Sequence, residues 1–393
     1  MKRIGILTFH RSINYGAFMQ SYALSNELKN RYGDIVEVID FEKLSKHLMY
    51  KKTTEGIVNA IVRGNEEKIK YRRFQEDLKL LPLSTPPLIT NDYDAVFDYL
   101  NNRYDIVVVG SDAVWAYNKG LGLKNPYWLF ADKLQCVKMS YAASAHSLDV
   151  ENISQEEKDY IASCLKSFAY IGVRDVTTYN LVKSCDSSLD VNMNCDPTVL
   201  LKIPEADLGR KILKDRLGIG TNKKIISVML GQRTPMFDVL REQLKGSDYQ
   251  YIALYKRVHW TDRFNWFSIP YLYNLSPYEW YHIYACMFLN ITTFFHGTLL
   301  ALRSGVPTFS FDVTRMGEEY VSKLKYVLAD MTLSDYYFDI NINTSEEKKR
   351  FIELLHYTIE RRDLISARIN QYMEMEKKKS QSFFDKLETF LTR

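Results

Sequence analysis

His296 and Gly297 have the residue types and the setting for chemistry on a phosphorylated small molecule. They stand between an apolar run, residues 289–295, and a helical pattern that ends at Gly305. An imidazole exchanges protons near neutral pH, and the amides that begin a helix attract anions. The pattern predicts an acid or base at His296 and anion binding by Gly297 and Thr298. A histidine that only caps the turn is the alternative.

A carboxylate follows a second apolar run, residues 104–109. Asp112 comes after Gly110 and Ser111, and the carboxyl end of a buried parallel strand is where ligands bind in an α/β sheet. Asp112 is therefore a candidate base for a hydroxyl nucleophile, and Ser111 and Trp115 are candidate contacts for the molecule that carries the hydroxyl. The alternatives are helix capping by Ser111 or Asp112 and a half-buried structural role for Trp115.

Two arginines are candidate clamps for a carboxylate or phosphate, because Arg174 and Arg233 each follow a predicted strand. For Arg174 an intramolecular ion pair is the alternative. Asn14, Tyr15 and Gly16 follow the first strand and open the first helix. There the glycine permits close approach of a ligand to the backbone, and the asparagine either hydrogen-bonds a hydroxyl or caps the helix.

Strand-like and helical runs alternate along the chain, which predicts parallel sheets with helices on both faces. We expect an α/β protein with two Rossmann-like, doubly wound domains, residues 1–217 and 218–345, and a ligand cleft between them. A basic helical insertion, residues 45–80, interrupts the first domain, and helices at residues 346–393 pack back on the body. The insertion is either a solvated segment or a surface for an anionic acceptor or membrane.

Composition excludes several classes of protein. The chain has 393 residues, 46% apolar and 25% charged, which is ordinary for a soluble globular protein, and a net charge of +4 does not indicate a nucleic-acid partner. Its five cysteines show no Cys-x-x-Cys spacing, so we expect no metal site and a cytoplasmic location. No run approaches the roughly 20 apolar residues of a membrane span. Walker, dinucleotide-binding, nucleophile-elbow and zinc-protease motifs are absent from the sequence.

Six motifs in this order resemble those of the polysaccharide pyruvyl transferase family. Residues 14–24 resemble Asn-Tyr-Gly-Ala-x-x-Gln-x-Tyr-Ala-Leu, and residues 110–115 are similar to Gly-Ser-Asp-Gln-Val-Trp. The other four motifs lie at residues 141–144, 173–175, 195–201 and 295–298. The chain departs from the family pattern at Ala113, Thr293 and Phe294, where relatives often carry Gln, Asp and Ser.

The resemblance implies a GT-B-like fold and an enzyme that moves the pyruvyl group of phosphoenolpyruvate onto a sugar as a ketal. It implies phosphoenolpyruvate as co-substrate, no cofactor, and a lipid-linked or nucleotide-linked saccharide as acceptor. On this hypothesis His296 and Asp112 are catalytic. The first domain is then the acceptor side and the second the donor side. The donor-binding residues are Arg174, Arg233, Gly297 and Thr298, and the acceptor-binding residues are Asn14, Tyr15, Gly16, Ser111 and Trp115.

Two other functions stay open. A GT-B glycosyltransferase with a nucleotide-sugar donor has the same architecture, with the helix after Gly297 holding the diphosphate. A saccharide-binding relative without catalytic activity is the second, and the residues at Thr293 and Phe294 favour it.

The basic insertion also suggests peripheral contact with the inner face of a membrane. Lys51, Lys52, Arg72 and Arg73 flank a stretch that contains Ile57, Val58, Ile61 and Val62. Basic side chains near an anionic bilayer contribute about 1 kcal/mol each. A solvated insertion remains the alternative.

Overall fold

The computed structural model describes most of the chain in two compact units. The described residues are 2–55, 65–116, 123, 125–130, 132–146, 153–219, 223–231, 234–246, 248–254, 271–312, 322–341 and 343–392. The first unit comprises Met1–Gly56, Gln75–Leu201 and Lys377–Arg393, and the second comprises Ile57–Phe74 and Lys202–Glu376.

A parallel sheet forms the centre of the first unit, and among the described residues its strand order is β2-β1-β5-β6-β7-β8. Its central strands are apolar and β-branched, and β1 and β5 are buried along their whole length, as strands covered on both faces must be. The order reverses between β1 and β5, which is the switch point where α/β sheets bind ligands. The strands are β1 (Ile4–Leu7), β2 (Val36–Val38), β5 (Ile106–Val109), β6 (Val137–Ser140), β7 (Phe168–Val173) and β8 (Val191–Met193), while β3 (Phe41–Glu42) and β4 (Leu88–Ile89) pair separately.

Local sequence sets the ends of the helices in the first unit. Asn14 caps the first helix by accepting a hydrogen bond from Gly16 N at 3.0 Å. Ser154 and Glu157 form a capping box at the start of another. The helices are α1 (Tyr15–Tyr32), α2 (Leu44–Glu55), α3 (Asn65–Asp77), which crosses the boundary of the two units, α4 (Tyr93–Asn101), α5 (Gln155–Leu165) and α6 (Val176–Cys185).

The second unit contains another parallel sheet, whose order in the described part of the chain is β10-β9-β11-β12-β13. Its order reverses between β9 and β11, so this sheet has its own switch point. The strands are β9 (Lys224–Met229), β10 (Tyr249–Ala253), β11 (Met287–Thr292), β12 (Thr308–Asp312) and β13 (Tyr337–Asp339). The helices are α7 (Ala206–Leu217), α8 (Pro235–Gln243), α9 (Pro277–Ile283), α10 (Phe295–Arg303), α11 (Lys323–Asp330), α12 (Ser345–Glu360) and α13 (Arg362–Lys377).

The predicted class, an α/β protein with two Rossmann-like parallel-sheet domains, is confirmed. The contacts divide the chain differently from the predicted boundaries. Helix α7, which the sequence analysis assigned to the first domain, lies in the second unit. The chain returns to the first unit at Lys377, where α14 (Gln381–Leu391) packs Phe383 against Tyr141 at 4.8 Å between ring centroids. No helix within the described residues is long and apolar enough to cross a membrane.

Candidate functional site

Three motifs of the first unit form one row beyond the carboxyl ends of its strands. Asp112 is bridged to Ala143, and Ala143 to Val173, so the row continues β5, β6 and β7. Ser144 N donates to Asp112 O at 3.0 Å, and Trp115 N donates to Ser144 O at 3.1 Å. The predicted Asp112 and Ser111 therefore lie at the carboxyl edge of the sheet, next to the switch point.

The backbone around Asp112 has an uncommon conformation. Asp112 has a φ of 80°, in the left-handed region that non-glycine residues rarely adopt, and its carboxylate accepts a hydrogen bond from Ala113 N at 2.8 Å. Gly110 before it has a φ of 113°, and a Cβ there would lie 2.3 Å from Tyr141 O. Such conformations cluster at functional sites. The buried hydroxyl of Ser111 has no hydrogen-bond partner among the described residues.

Arg174 is held in a buried ion pair. Its Nη1 lies 2.9 Å from Asp196 Oδ2, and its side chain is 6% exposed. Asp196 also accepts from Gln20 Nε2 at 2.6 Å and from Thr198 N at 2.9 Å. Burial lowers the pKa of Arg174, but the carboxylates of Asp196, Asp112 and Asp175 raise it above its ordinary value. The ion pair is the alternative that the sequence left open for this arginine, and binding of the donor by Arg174 stays a prediction.

The structure corrects the prediction for Trp115. Its side chain is fully buried, and its ring stacks on Trp128 with 5.0 Å between centroids. Its Nε1 donates to Tyr127 O at 3.1 Å. Because no part of the ring is exposed, Trp115 is a core residue and not a platform for a sugar. Asn14 caps α1, as described above, and a contact of Asn14, Tyr15 or Gly16 with an acceptor stays a prediction.

A cluster that the sequence analysis missed pins the loop after β1. His10 is fully buried, and its Nε2 lies 3.0 Å from Asp40 Oδ1. Arg11 binds the same carboxylate with Nε at 2.5 Å and Nη2 at 2.7 Å. Burial raises the pKa of Asp40, but the hydrogen bonds from His10 and Arg11 outweigh it and lower the pKa to about 2. The only signal in the sequence was a His-Arg pair directly after one strand and an Asp after the next.

His296 of the second unit is the second residue of α10, directly beyond the end of β11. The residue is partly exposed, although Nε2 of its imidazole is buried, and the ring meets that of Phe295 edge to face at 5.2 Å between centroids. The first hydrogen bond of the helix runs from Thr298 N to Phe294 O at 2.9 Å. The backbone amides before Thr298 therefore lie at the positive end of the helix dipole, beside the imidazole.

Hydroxyl groups fasten the turn that carries His296. Thr293 Oγ1 accepts from Gly231 N at 2.9 Å, and Thr293 N donates to Met229 O at 3.0 Å, so the turn is tied to the end of β9. Thr292 Oγ1 accepts from Phe294 N at 3.0 Å. Thr293, one of the departures from the family pattern, therefore positions the turn at the switch point of this sheet.

Gly297 allows α10 to lie close to the strand ends. A Cβ at this position would lie 2.6 Å from Thr292 Oγ1 and 3.0 Å from Met229 Sδ. The carbonyl of Gly297 accepts from Asn290 Nδ2 at 3.1 Å, and Asn290 is fully buried. This residue therefore fixes the direction in which the helix leaves the strand.

The structure corrects the prediction that Thr298 binds the donor. Its side chain is fully buried, and its Oγ1 hydrogen-bonds Ser310 Oγ of β12 at 2.8 Å. Its amide already donates within the helix. Thr298 therefore attaches α10 to the sheet.

Some of the predicted residues are not described by the structure. Arg233 and residues 57–62 fall outside the described residues. Arg73 of the basic insertion pairs with Glu279 at 2.5 Å and donates from Nε to Asn274 O at 3.2 Å. Across the described residues no group of three or more His, Cys, Asp or Glu side chains is arranged to hold a metal ion.

Residues 14–315 match the model of the family described as polysaccharide pyruvyl transferase. The match begins at the cap of α1 and includes the switch point of the second sheet and all six sequence motifs. A comparison with curated protein sequences gives no match.

Several solved structures share the fold. UDP-GlcNAc 2-epimerase from Neisseria meningitidis, bound to UDP-GlcNAc, is 12% identical, with a TM-score of 0.57 over 99% of this chain and 100% of that one. UDP-GlcNAc 2-epimerase from Methanocaldococcus jannaschii is 13% identical, with a TM-score of 0.54 over 91% and 93% of the two chains. UGT89C1 from Arabidopsis thaliana, complexed with quercetin, is 11% identical, with a TM-score of 0.51 over 100% and 98%. These similarities assign the fold to the GT-B class.

Proposed function

The chain belongs to the polysaccharide pyruvyl transferase family, and we propose on this basis that it transfers pyruvate from phosphoenolpyruvate to a saccharide as a cyclic ketal. The observation that carries the proposal is the position of His296 at the start of α10, at the switch point of the second sheet. The family match supports the transferase class. Phosphoenolpyruvate as the donor and a ketal as the product are part of the proposal.

The reaction needs one proton donor, one proton acceptor and stabilisation of a leaving phosphate. Protonation of C3 of phosphoenolpyruvate makes C2 electrophilic, and a sugar hydroxyl forms the first C–O bond there. The C2–O bond to phosphate breaks, and a second hydroxyl forms the second C–O bond. The two hydroxyl protons balance the one added to C3 and the one carried away on phosphate.

His296 is the group that we assign to proton transfer at C3. It is partly exposed, and an imidazole gains and loses protons near neutral pH. The helix start beside it favours an anion such as the phosphate of the donor. Gly297 supports this role because a larger residue would push the helix away from the end of the sheet. Arg233 keeps its proposed role as a second anion-binding residue on the sequence argument alone.

Asp112 is the group that we assign to the sugar hydroxyl. It is partly exposed at the carboxyl edge of the first sheet, and a carboxylate there can accept a hydroxyl proton. The acceptor that we propose is a saccharide linked to a nucleotide or to a lipid through phosphate. For a lipid-linked acceptor the protein visits the membrane surface peripherally through its basic insertion.

Phosphate release with each candidate saccharide tests the proposal, followed by mass spectrometry of the saccharide. We expect one phosphate per ketal formed and a mass increase equal to one pyruvate ketal. The matched control is the His296→Ala variant, whose fold is checked by circular dichroism. Release of phosphate without a gain of mass on any saccharide contradicts ketal transfer.

A nucleotide-sugar glycosyltransferase is the second candidate, and the UDP-GlcNAc complex of a protein with the same fold is the observation that favours it. A bound donor raises the melting temperature through mass action. Thermal shift with phosphoenolpyruvate and with UDP-GlcNAc separates the two functions. Stabilisation by UDP-GlcNAc alone, with glycosyl transfer to a saccharide, favours the second candidate.

A further inference from the structure

Lys46 reaches from α2 to the loop that follows β1. Its Nζ donates to Ser12 Oγ at 2.5 Å. The same ammonium lies 5.7 Å from the ring centroid of Phe9 and 5.6 Å from that of Tyr50. The side chain is partly buried, so two aromatic rings and a hydroxyl surround a cation that has lost part of its water.

Lys46 has no ion pair with any carboxylate in the described part of the chain. Glu42, the nearest acidic residue before it, lies 2.8 Å from His47 Nδ1 instead. Burial lowers the pKa of Lys46, and the more distant carboxylates of Glu42 and Asp112 act in the opposite direction. A partly desolvated ammonium without a paired anion is unfavourable, and a bound anion removes that cost.

The loop that meets Lys46 is held firmly at the switch point. Ser12 N donates to Phe9 O at 3.1 Å, and the His10–Arg11–Asp40 cluster fixes the same turn. Thr8 Oγ1 donates to Ser111 O at 3.2 Å and so joins the ends of β1 and β5. Three features therefore lie at the ligand-binding edge of this sheet: the loop after β1, the ammonium of Lys46, and Asp112.

We propose that Lys46 and Ser12 bind a phosphate group of the saccharide acceptor. This inference rests on the proposed function, which supplies the acceptor, and it adds the two residues that hold the phosphate of that acceptor. Phosphate at Lys46 leaves Asp112 for the reacting hydroxyl. Neither Lys46 nor Ser12 belongs to the six sequence motifs. The sequence alone left the insertion that contains Lys46 either solvated or a surface for an anionic acceptor or membrane.

Isothermal titration calorimetry with inorganic pyrophosphate at low salt tests the anion site directly. We expect wild-type protein to bind and Lys46→Met to bind at least about tenfold more weakly, because a charge-assisted hydrogen bond is lost. Lys46→Arg should keep most of the affinity. Lys43→Met is the matched control, since it removes the same charge three residues away, where the ammonium lies over the Tyr93 ring at 5.1 Å.

Three results overturn the proposal. The first is an absence of pyrophosphate binding to the wild-type protein, and the second is an equal loss of affinity in Lys43→Met. The third is an equal loss of phosphoenolpyruvate affinity in Lys46→Met, which places the donor at this lysine. A second experiment measures binding to phosphatidylglycerol vesicles. If the protein binds these vesicles through Lys46 but does not bind pyrophosphate, the anion is a lipid headgroup, and a phosphorylated saccharide is rejected. The pyrophosphate titration does not depend on turnover, so failure of pyruvyl transfer leaves its result unchanged.

Discussion

The switch points of the two sheets are built from different chemistry. In the first unit, the strand ends carry ionisable groups, of which His10, Arg11 and Asp40 bind one another. In the second unit, residues 227–231 and 290–298 contain a single titratable side chain, His296. The groups around it are hydroxyls, amides and backbone, such as Thr293 Oγ1 with Gly231 N at 2.9 Å.

This difference indicates how each edge supports a reaction. A set of paired charges holds a fixed shape, because moving one member leaves the others desolvated and unpaired. In the described part of the second edge, one imidazole is left to respond to pH and to the charge of a ligand. We infer that the paired groups of the first edge position Asp112 for the sugar hydroxyl, and that the second edge carries the proton transfer at C3.

Asp196→Asn should destabilise the protein by about 3–5 kcal/mol, because it leaves the buried Arg174 without its carboxylate. The control is Glu27→Gln, which breaks an exposed pair with Arg31 and should cost less than about 1 kcal/mol. Denaturant unfolding measures both. Calorimetry on Arg174→Lys distinguishes a structural role from a donor-binding role. Lowered stability with unchanged phosphoenolpyruvate affinity indicates a structural ion pair. A loss of phosphoenolpyruvate affinity alone indicates that Arg174 binds the donor.

His296→Ala should lower the turnover rate by about a hundredfold or more while the fold persists, which is the scale of general acid–base catalysis. The imidazole is partly exposed, so its removal leaves the Ser227–Asn290 hydrogen bond of 2.7 Å under the helix in place. Phosphate release measures the rate, and the melting temperature checks the fold. A folded variant with near wild-type turnover means that His296 only caps the turn. The second edge then has no role in proton transfer through this residue.

The sequence predicted the fold because its signals are local. Apolar, β-branched runs that end in glycine and polar residues specify buried parallel strands. The same signals located Asp112 and His296 at strand ends. The choice of domain for α7 could not be predicted, because contacts between distant segments decide it.

The remaining site residues depended on tertiary packing. Trp115 and Thr298 are the last residues of two motifs, yet both side chains turn into the core, and only packing determines that direction. His10 and Asp40 are separated by 30 positions and meet because β1 and β2 are neighbours. Lys46 belongs to a helix whose charge pattern resembles a solvated face, so its burial was invisible in the sequence.

Lowering the pH should destabilise the folded protein at the first edge, because Asp40 becomes protonated. The pKa of this carboxyl is about 2 in the folded protein, below its ordinary 3.8. Its stabilisation is therefore fully present above about pH 4 and is lost as pH falls towards 2. The shift corresponds to about 2 kcal/mol. Unfolding of wild type and Asp40→Asn across this range measures it: the gap in stability should be widest near pH 6 and shrink towards pH 2. A gap that stays constant with pH means that Asp40 is not held ionised by His10 and Arg11.

Changing a single charge on the basic insertion should have the smallest effect, and this effect is on binding to anionic vesicles. Two adjacent arginines, Arg72 and Arg73, allow a comparison. Arg72 is exposed, whereas Arg73 binds Glu279 at 2.5 Å. A basic side chain near an anionic bilayer contributes about 1 kcal/mol, and only a charge that faces the bilayer contributes it. Arg72→Glu should therefore lower the affinity for phosphatidylglycerol vesicles at low salt by about thirtyfold, since it removes one attraction and adds one repulsion of about 1 kcal/mol each. Arg73→Gln should change vesicle binding little and lower the unfolding midpoint instead, because Glu279 loses a partner. Binding that resists both salt and Arg72→Glu excludes an electrostatic membrane contact for this segment, since attraction between exposed charges is screened by salt.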